Sequence, residues 1–170
     1  FSDNMTGQSG GGMHLNQSSP TLTGVTFSGN TAGGGGGMFL TYSSNPTLTD
    51  VIFIGNTADN YGGGMSLNNS SNPTLTDVTF SGNTADYGGG MYLDNSSPTL
   101  TDVTFSGNTA FGKGGGIYLS ASSINGSYIL IKNNYSEGHG AGIFISALSN
   151  INLNKSTIAS NIVGEGDTFG

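Results

Sequence analysis

The 170-residue sequence predicts an all-β fold: a right-handed parallel β-helix (β-solenoid) of about six coils, each 25–27 residues long. Three observations carry this. The phrase Phe27-Ser-Gly-Asn30-Thr-Ala recurs as Phe53-Ile-Gly-Asn56, Phe80-Ser-Gly-Asn83 and Phe105-Ser-Gly-Asn108, with degenerate copies at Phe1/Asn4, Ile131/Asn134 and Ile158/Asn161. A second column keeps step with it, a Gly-rich corner followed by an apolar pair: Met13/Leu15, Met38/Leu40, Met65/Leu67, Met91/Leu93, Ile117/Leu119 and Ile143/Ile145. Within each unit the apolar residues alternate, as in Met91, Leu93 and then Val103, Phe105, which is the period of a half-buried strand. A constant short period rich in Gly, Thr and Asn is the mark of stacked repeats.

The elements follow in order along one unit. A Gly-rich corner leads into the Met-x-Leu strand; an Asn-Ser-Ser-Pro corner turns the chain into a Thr-Leu-Thr-Asp-Val-Thr-Phe strand; and Ser-Gly-Asn turns it again. Such short strands pair with the next copy rather than within their own, so each unit is one coil, with inward side chains stacking about 4.8 Å above and below their copies. About six coils make a rod roughly 30 Å long. Right-handedness follows from the general chirality of parallel crossovers. The column Asn30, Asn56, Asn83, Asn108, Asn134 and Asn161 is expected to form an amide ladder along the axis that satisfies corner backbone groups. Residues 1–170 are read as one domain with both ends open, which predicts self-association by stacking of coil ends.

Composition narrows the function. The chain has 31 Gly, no Cys, no Trp, 8% charged residues and a formal net charge of −7. Its cations are Lys113, Lys132 and Lys155, without any Arg, so a nucleic-acid partner, which requires a basic patch, is not expected. No apolar run reaches the length of a membrane span.

The Gly-Gly-x-Ile/Met corner, as in Gly115-Gly116-Ile117 and Gly140-Ala-Gly-Ile143, together with the four Phe-x-x-Asn phrases, resembles the repeats of polymorphic outer-membrane proteins and related secreted bacterial right-handed β-helix proteins. The likeness covers nearly the whole chain. It implies an extracellular or cell-surface passenger used for adhesion or coating, although no autotransporter-type barrel or anchoring motif accompanies it. Gly138-His139-Gly140 is similar to a tripeptide in the active sites of β-helical pectin hydrolases. No paired-Asp motif or Arg-x-Lys clamp goes with it, and Glu137 and Glu165 fall in different coils, whereas glycoside hydrolysis needs two carboxylates across one bond. No catalytic residue is therefore assigned, and no cofactor is required. His14, between Met13 and Leu15, reads as a solvated surface residue.

Three outward columns are candidates for binding. Phe39, Ser66, Tyr92, Tyr118 and Phe144 form a nearly continuous aromatic row, expected to be exposed and suited to sugar rings or a neighbouring rod. Thr21, Thr23, Thr47, Thr49, Thr74, Thr76, Thr99 and Thr101 form two threonine columns that resemble the Thr-x-Thr arrays of ice-binding solenoids, with about 6.8 Å along a strand and about 4.8 Å between coils. Asp50, Asp77 and Asp102 stack between Gly24 and Tyr128; each ionised pair would cost about 1–3 kcal/mol unscreened, which solvent, a proton shift or a bridging Ca²⁺ would relieve. Asn-x-Ser/Thr triplets at Asn4, Asn16, Asn68, Asn69, Asn95, Asn125, Asn134 and Asn154 permit glycosylation without indicating it. The function expected is a non-catalytic extracellular structural or adhesive solenoid, stacked into a filament or forming part of a longer surface protein and contacting glycans or neighbouring cells. The alternatives are a carbohydrate-binding adhesin passenger, an ice-binding protein and a polysaccharide-degrading enzyme.

Overall fold

The computed structural model describes residues 1–164, so the last six positions of the expected domain, Glu165 among them, lie outside the described residues. Three parallel sheets run along the rod, and each coil contributes to all of them. The first sheet has six strands, from Met13–Asn16 through Met38–Thr41, Met65–Asn68, Met91–Asp94 and Ile117–Ser120 to Ile143–Ile145. The second carries the Thr-Leu-Thr and Val-x-Phe segments, which are continuous in Thr47–Ile54 and Thr74–Ser81 and split in the other coils. The third holds Thr31–Gly34, Thr57–Tyr61, Thr84–Tyr87, Thr109–Lys113, Tyr135–Ser136 and Ile162–Val163. Register is copy on copy: Met91 pairs with Met65 and Ile117, and Phe105 with Phe80 and Ile131.

Inward side chains stack as the repeat predicts. Phe27, Phe53, Phe80 and Phe105 are wholly buried. With Phe1 they form a column of rings 4.8 to 4.9 Å apart and 3° to 8° from parallel. Each buried Phe removes enough apolar surface from water to contribute about 2–3 kcal/mol, and stacking adds about 1 kcal/mol. Met, Leu and Val columns fill the remainder of the core.

Polar columns close the corners. Asn30 Nδ2 donates to Asn56 Oδ1 at 2.8 Å while the Asn30 backbone N–H donates to the same oxygen at 3.0 Å. The other amide hydrogen reaches back one coil, as Asn56 Nδ2 does to the Phe27 carbonyl at 2.9 Å. This pattern runs from Asn4 to Asn161. A serine ladder accompanies it at the Asn-Ser-Ser-Pro corner. The Ser44, Ser71 and Ser96 backbone N–H groups donate to Oγ of Ser71, Ser96 and Ser122, and Ser71 Oγ in turn donates to the Asn68 carbonyl. No buried side-chain nitrogen or oxygen among the described residues lacks a hydrogen-bond partner.

Asp50, Asp77 and Asp102 have φ of 53° to 54°, in line with Gly24 and Tyr128 at 64° and 57°. The column occupies a left-handed corner, where Gly, Asn and Asp are the residues that fit at least cost, and its carboxylates are exposed. Backbone geometry thus favours Asp at these positions whether or not an ion is held there. Among the described residues no helix is long and apolar enough to cross a membrane.

Candidate functional site

The corner between the third and first sheets is made of consecutive glycines such as Gly62, Gly63 and Gly64. A Cβ on Gly63 would lie 2.5 Å from the carbonyl oxygens of Gly89 and Thr84, so glycine lets the inner coils stack closely there, and only the corner of residues 140–142 carries a Cβ at this position, on Ala141. The tight turn sets the outward side chains that end the third-sheet strands against those of the first sheet. In register, the former are Gly34, Tyr61, Tyr87 and Lys113, and the latter His14, Phe39, Ser66, Tyr92, Tyr118 and Phe144. Register shifts in the third sheet, where Thr57–Tyr61 and Thr109–Lys113 carry one residue more than Thr84–Tyr87, re-aim these terminal side chains in the manner of β-bulges.

A groove with aromatic walls results. Tyr92 stacks on Tyr118, and Tyr118 on Phe144, with centroids 5.1 Å apart in both cases. Tyr61 lies 4.7 Å from Tyr92, on the side where the next rung offers only Ser66, and Tyr87 meets Tyr118 edge-on at 5.6 Å. Lys113 Nζ stands 4.7 Å over the Phe144 ring, a cation–π contact. Tyr61, Tyr87, Tyr92, Lys113 and Tyr118 enclose a cavity of about 270 Å³. Toward the N-terminus Tyr61 also borders a second cavity of about 430 Å³ around Phe39. Beside the rings, two residues further along each first-sheet strand, runs a polar row of Thr41, Asn68, Asp94 and Ser120.

The expectation of an exposed aromatic row needs correcting. Phe39, Tyr92, Tyr118 and Phe144 are half-buried, and Ser66 is fully buried. Tyr61 and Tyr87 cover Tyr92 and Tyr118, and Lys113 covers Phe144, so the feature is a groove between two sheets rather than a row on one. Tyr61 and Tyr87 were not singled out from sequence, although each immediately precedes a Gly-Gly-Gly corner. His14 is exposed, with its ring edge-on to Phe39 at 5.0 Å.

Burial in this groove, with the Asp94 carboxylate as a second cause, raises the Tyr92 phenol well above its ordinary value of 10.0. Tyr92 is thus a neutral hydrogen-bond donor throughout the neutral range. Because the folded chain holds this proton more tightly than the unfolded chain, the associated stability is intact below about pH 10 and declines as pH rises beyond it. Thermal melts across the alkaline range should show wild type losing stability more steeply than Tyr92→Phe; parallel losses would contradict the burial of the phenol.

Of the other candidates, His139 pairs with Lys113 and so continues the third-sheet column of the groove toward the C-terminus, while the threonines belong to another sheet. The threonines of the second sheet lie in register, Thr21, Thr47, Thr74 and Thr99 in one column and Thr23, Thr49, Thr76 and Thr101 in the other, and the columns continue into Asn125 and Ser127. His139 and Glu137 are both exposed. No three His, Cys, Asp or Glu side chains gather in a metal-binding group among the described residues.

Coils of constant length, three parallel sheets and a thin continuous core define a β-solenoid. Residues 1–125 match the family model of the right handed beta helix region, and the chain belongs to that family. No curated protein and no solved structure matches it. The family fixes the fold and is compatible with structural or adhesive roles; the chemistry has to be argued from the groove.

Proposed function

We propose that this chain is a non-catalytic adhesive module, lying outside the cell or on its surface, that holds a glycan chain along the groove between its first and third sheets. The stack of Tyr92 on Tyr118, faced by Tyr61 and Tyr87, carries the reading. Sugar rings present apolar C–H faces and hydroxyl edges, and tyrosines offer the complement of both, a flat ring and a phenol that donates and accepts. The half-buried polar row of Asn68, Asp94 and Ser120 supplies further partners along one side. A groove parallel to the rod suits an extended chain, and a framework stacked coil on coil presents it with little to reorganise on binding.

The likeness of the repeats to surface passengers points the same way. Rods stacked end to end, or continued within a longer surface protein, would lengthen the groove. A glycosidase would need a second carboxylate across the bond from Asp94, and the first-sheet polar row offers Thr41, Asn68 and Ser120 instead.

Affinity electrophoresis in gels cast with soluble polysaccharides tests the proposal. Tyr118→Ala removes a ring stacked on both sides and is expected to weaken retardation about tenfold, a loss of about 1.4 kcal/mol, with the far-UV spectrum unchanged. Retardation equal to wild type, or none by any polysaccharide in wild type, would end the glycan reading.

A further inference from the structure

At the N-terminal end of the groove the third-sheet column changes character. Tyr61, Tyr87 and Lys113 occupy successive rungs, and Gly34 occupies the rung before them. Most corner glycines are explained by a left-handed φ or by neighbouring atoms that leave no room for a Cβ. Gly34 has neither reason. Its φ is not positive, and a Cβ built on it would make ordinary contacts, 3.7 Å from Phe39 Cε2 and 3.7 Å from the Tyr61 carbonyl oxygen. The fold would accept a side chain here, and of the two rungs that pair with it one carries the large Tyr61 and the other Ser9. What the glycine leaves is the cavity of about 430 Å³, a size in the range of small-ligand pockets, with the Phe39 ring on one side and Gln8, Asn60 and Asn68 around it.

The charge of this end is equally distinct. The three amides are neutral, and Lys113, the first cation of the sequence, stands three third-sheet rungs away from Gly34. The chain as a whole carries −7, a field that repels polyanions approaching at low salt. Asn60 Nδ2 is held by the Gly33 carbonyl at 3.2 Å and Asn68 Nδ2 by Ser66 Oγ at 3.0 Å, which orients both amides and leaves their oxygens as acceptors for hydroxyl donors.

Resting on the glycan reading of the groove, we propose that the cavity at Phe39, kept clear by Gly34, is a subsite that seats one pyranose ring of an uncharged polysaccharide. The ring's apolar face lies on Phe39 and its hydroxyls meet the Gln8, Asn60 and Asn68 amides. The ligand is then a neutral glycan and not a uronate or sulfated chain.

The test compares wild type, Gly34→Tyr and Phe39→Ser by affinity electrophoresis against hydroxyethylcellulose and galactomannan as neutral probes and polygalacturonate and alginate as acidic ones, at low and high salt. Gly34→Tyr reproduces the residue found on the next two rungs and fills the cavity; Phe39→Ser reproduces Ser66 and removes the platform should the first variant misfold. The expected result is that wild type is retarded by a neutral probe independently of salt, and that both variants lose about tenfold or more while retaining the wild-type far-UV spectrum. Binding of a neutral probe that Tyr118→Ala loses but Gly34→Tyr and Phe39→Ser keep would overturn the subsite and leave the groove. Salt-sensitive binding of acidic probes alone would overturn the assignment of a neutral ligand. No retardation by any probe would remove the groove reading and this inference together.

Discussion

Asn83→Ala is expected to cost about 4 kcal/mol of folding free energy, read as a shift of the urea midpoint by circular dichroism. Asn83 Oδ1 accepts from both the backbone N–H and the side-chain amide of Asn56, and Asn83 Nδ2 donates to the Phe53 carbonyl and to Asn108 Oδ1. Truncation leaves two donors and a carbonyl of the preceding coil without partners in a wholly buried corner, where each unsatisfied group costs about 1–3 kcal/mol. Some of that is recovered if water enters the space, which sets the figure nearer the lower end of the sum. Asn161→Ala removes the same kind of acceptor from Asn134 but in a half-buried corner, and should cost about half as much. Equal and small losses at the two positions would mean that ring and aliphatic stacking, rather than the amides, holds the coils in register.

The same corner shows why so much of the fold was legible in the sequence. A solenoid writes one structural decision many times over, so Phe27, Phe53, Phe80 and Phe105 each restate an inward position, and Asn30 through Asn161 restate a corner. Noise in one copy, such as Ile131 for Phe, is corrected by the others. The third sheet was harder to read because its strands bury little, a small Ala32, Ala58, Ala85 or Ala110 in four of them, Ser136 in the fifth and nothing in Ile162–Val163, too little alternation to mark a strand. The serine ladder was hidden in an Asn-Ser-Ser-Pro phrase that also reads as an ordinary turn. The groove was least legible. Its first wall appears as the column Phe39, Tyr92, Tyr118 and Phe144, but its second depends on Tyr61 and Tyr87, whose strands differ by one residue in length and so lose step in a fixed-period alignment. The aspartates at 50, 77 and 102 show the converse. A column regular enough to suggest a ligand also sits at a left-handed φ that recurs from coil to coil, which by itself favours Asp there.

Gly63→Ala should be as damaging as any loss of a large side chain, costing about 3 kcal/mol or more although it adds a single methyl group. The new Cβ would lie 2.5 Å from Gly89 O, 2.5 Å from Thr84 O and 2.7 Å from Thr84 N, all backbone atoms of the next coil that are themselves fixed in sheet hydrogen bonds. Gly36 and Gly89 stand in the same situation one coil away on either side, so the corner cannot relax by sliding without transferring the strain to its copies. Gly55→Ala is the control: nothing lies within 4 Å of its Cβ, and its φ of 62° confines the cost to the left-handed penalty of about 1–2 kcal/mol. The clash also reaches the groove, because Gly63 sits between Tyr61 and Ser66 and sets the distance at which the third-sheet tyrosines face the first sheet. Chemical denaturation should therefore show the large loss for Gly63→Ala alone, and polysaccharide retardation at a temperature where it is still folded should fall with it. A Gly63→Ala chain as stable as Gly55→Ala would mean that the coils can part at this corner, and the width of the groove would then be set by its occupant rather than by the backbone.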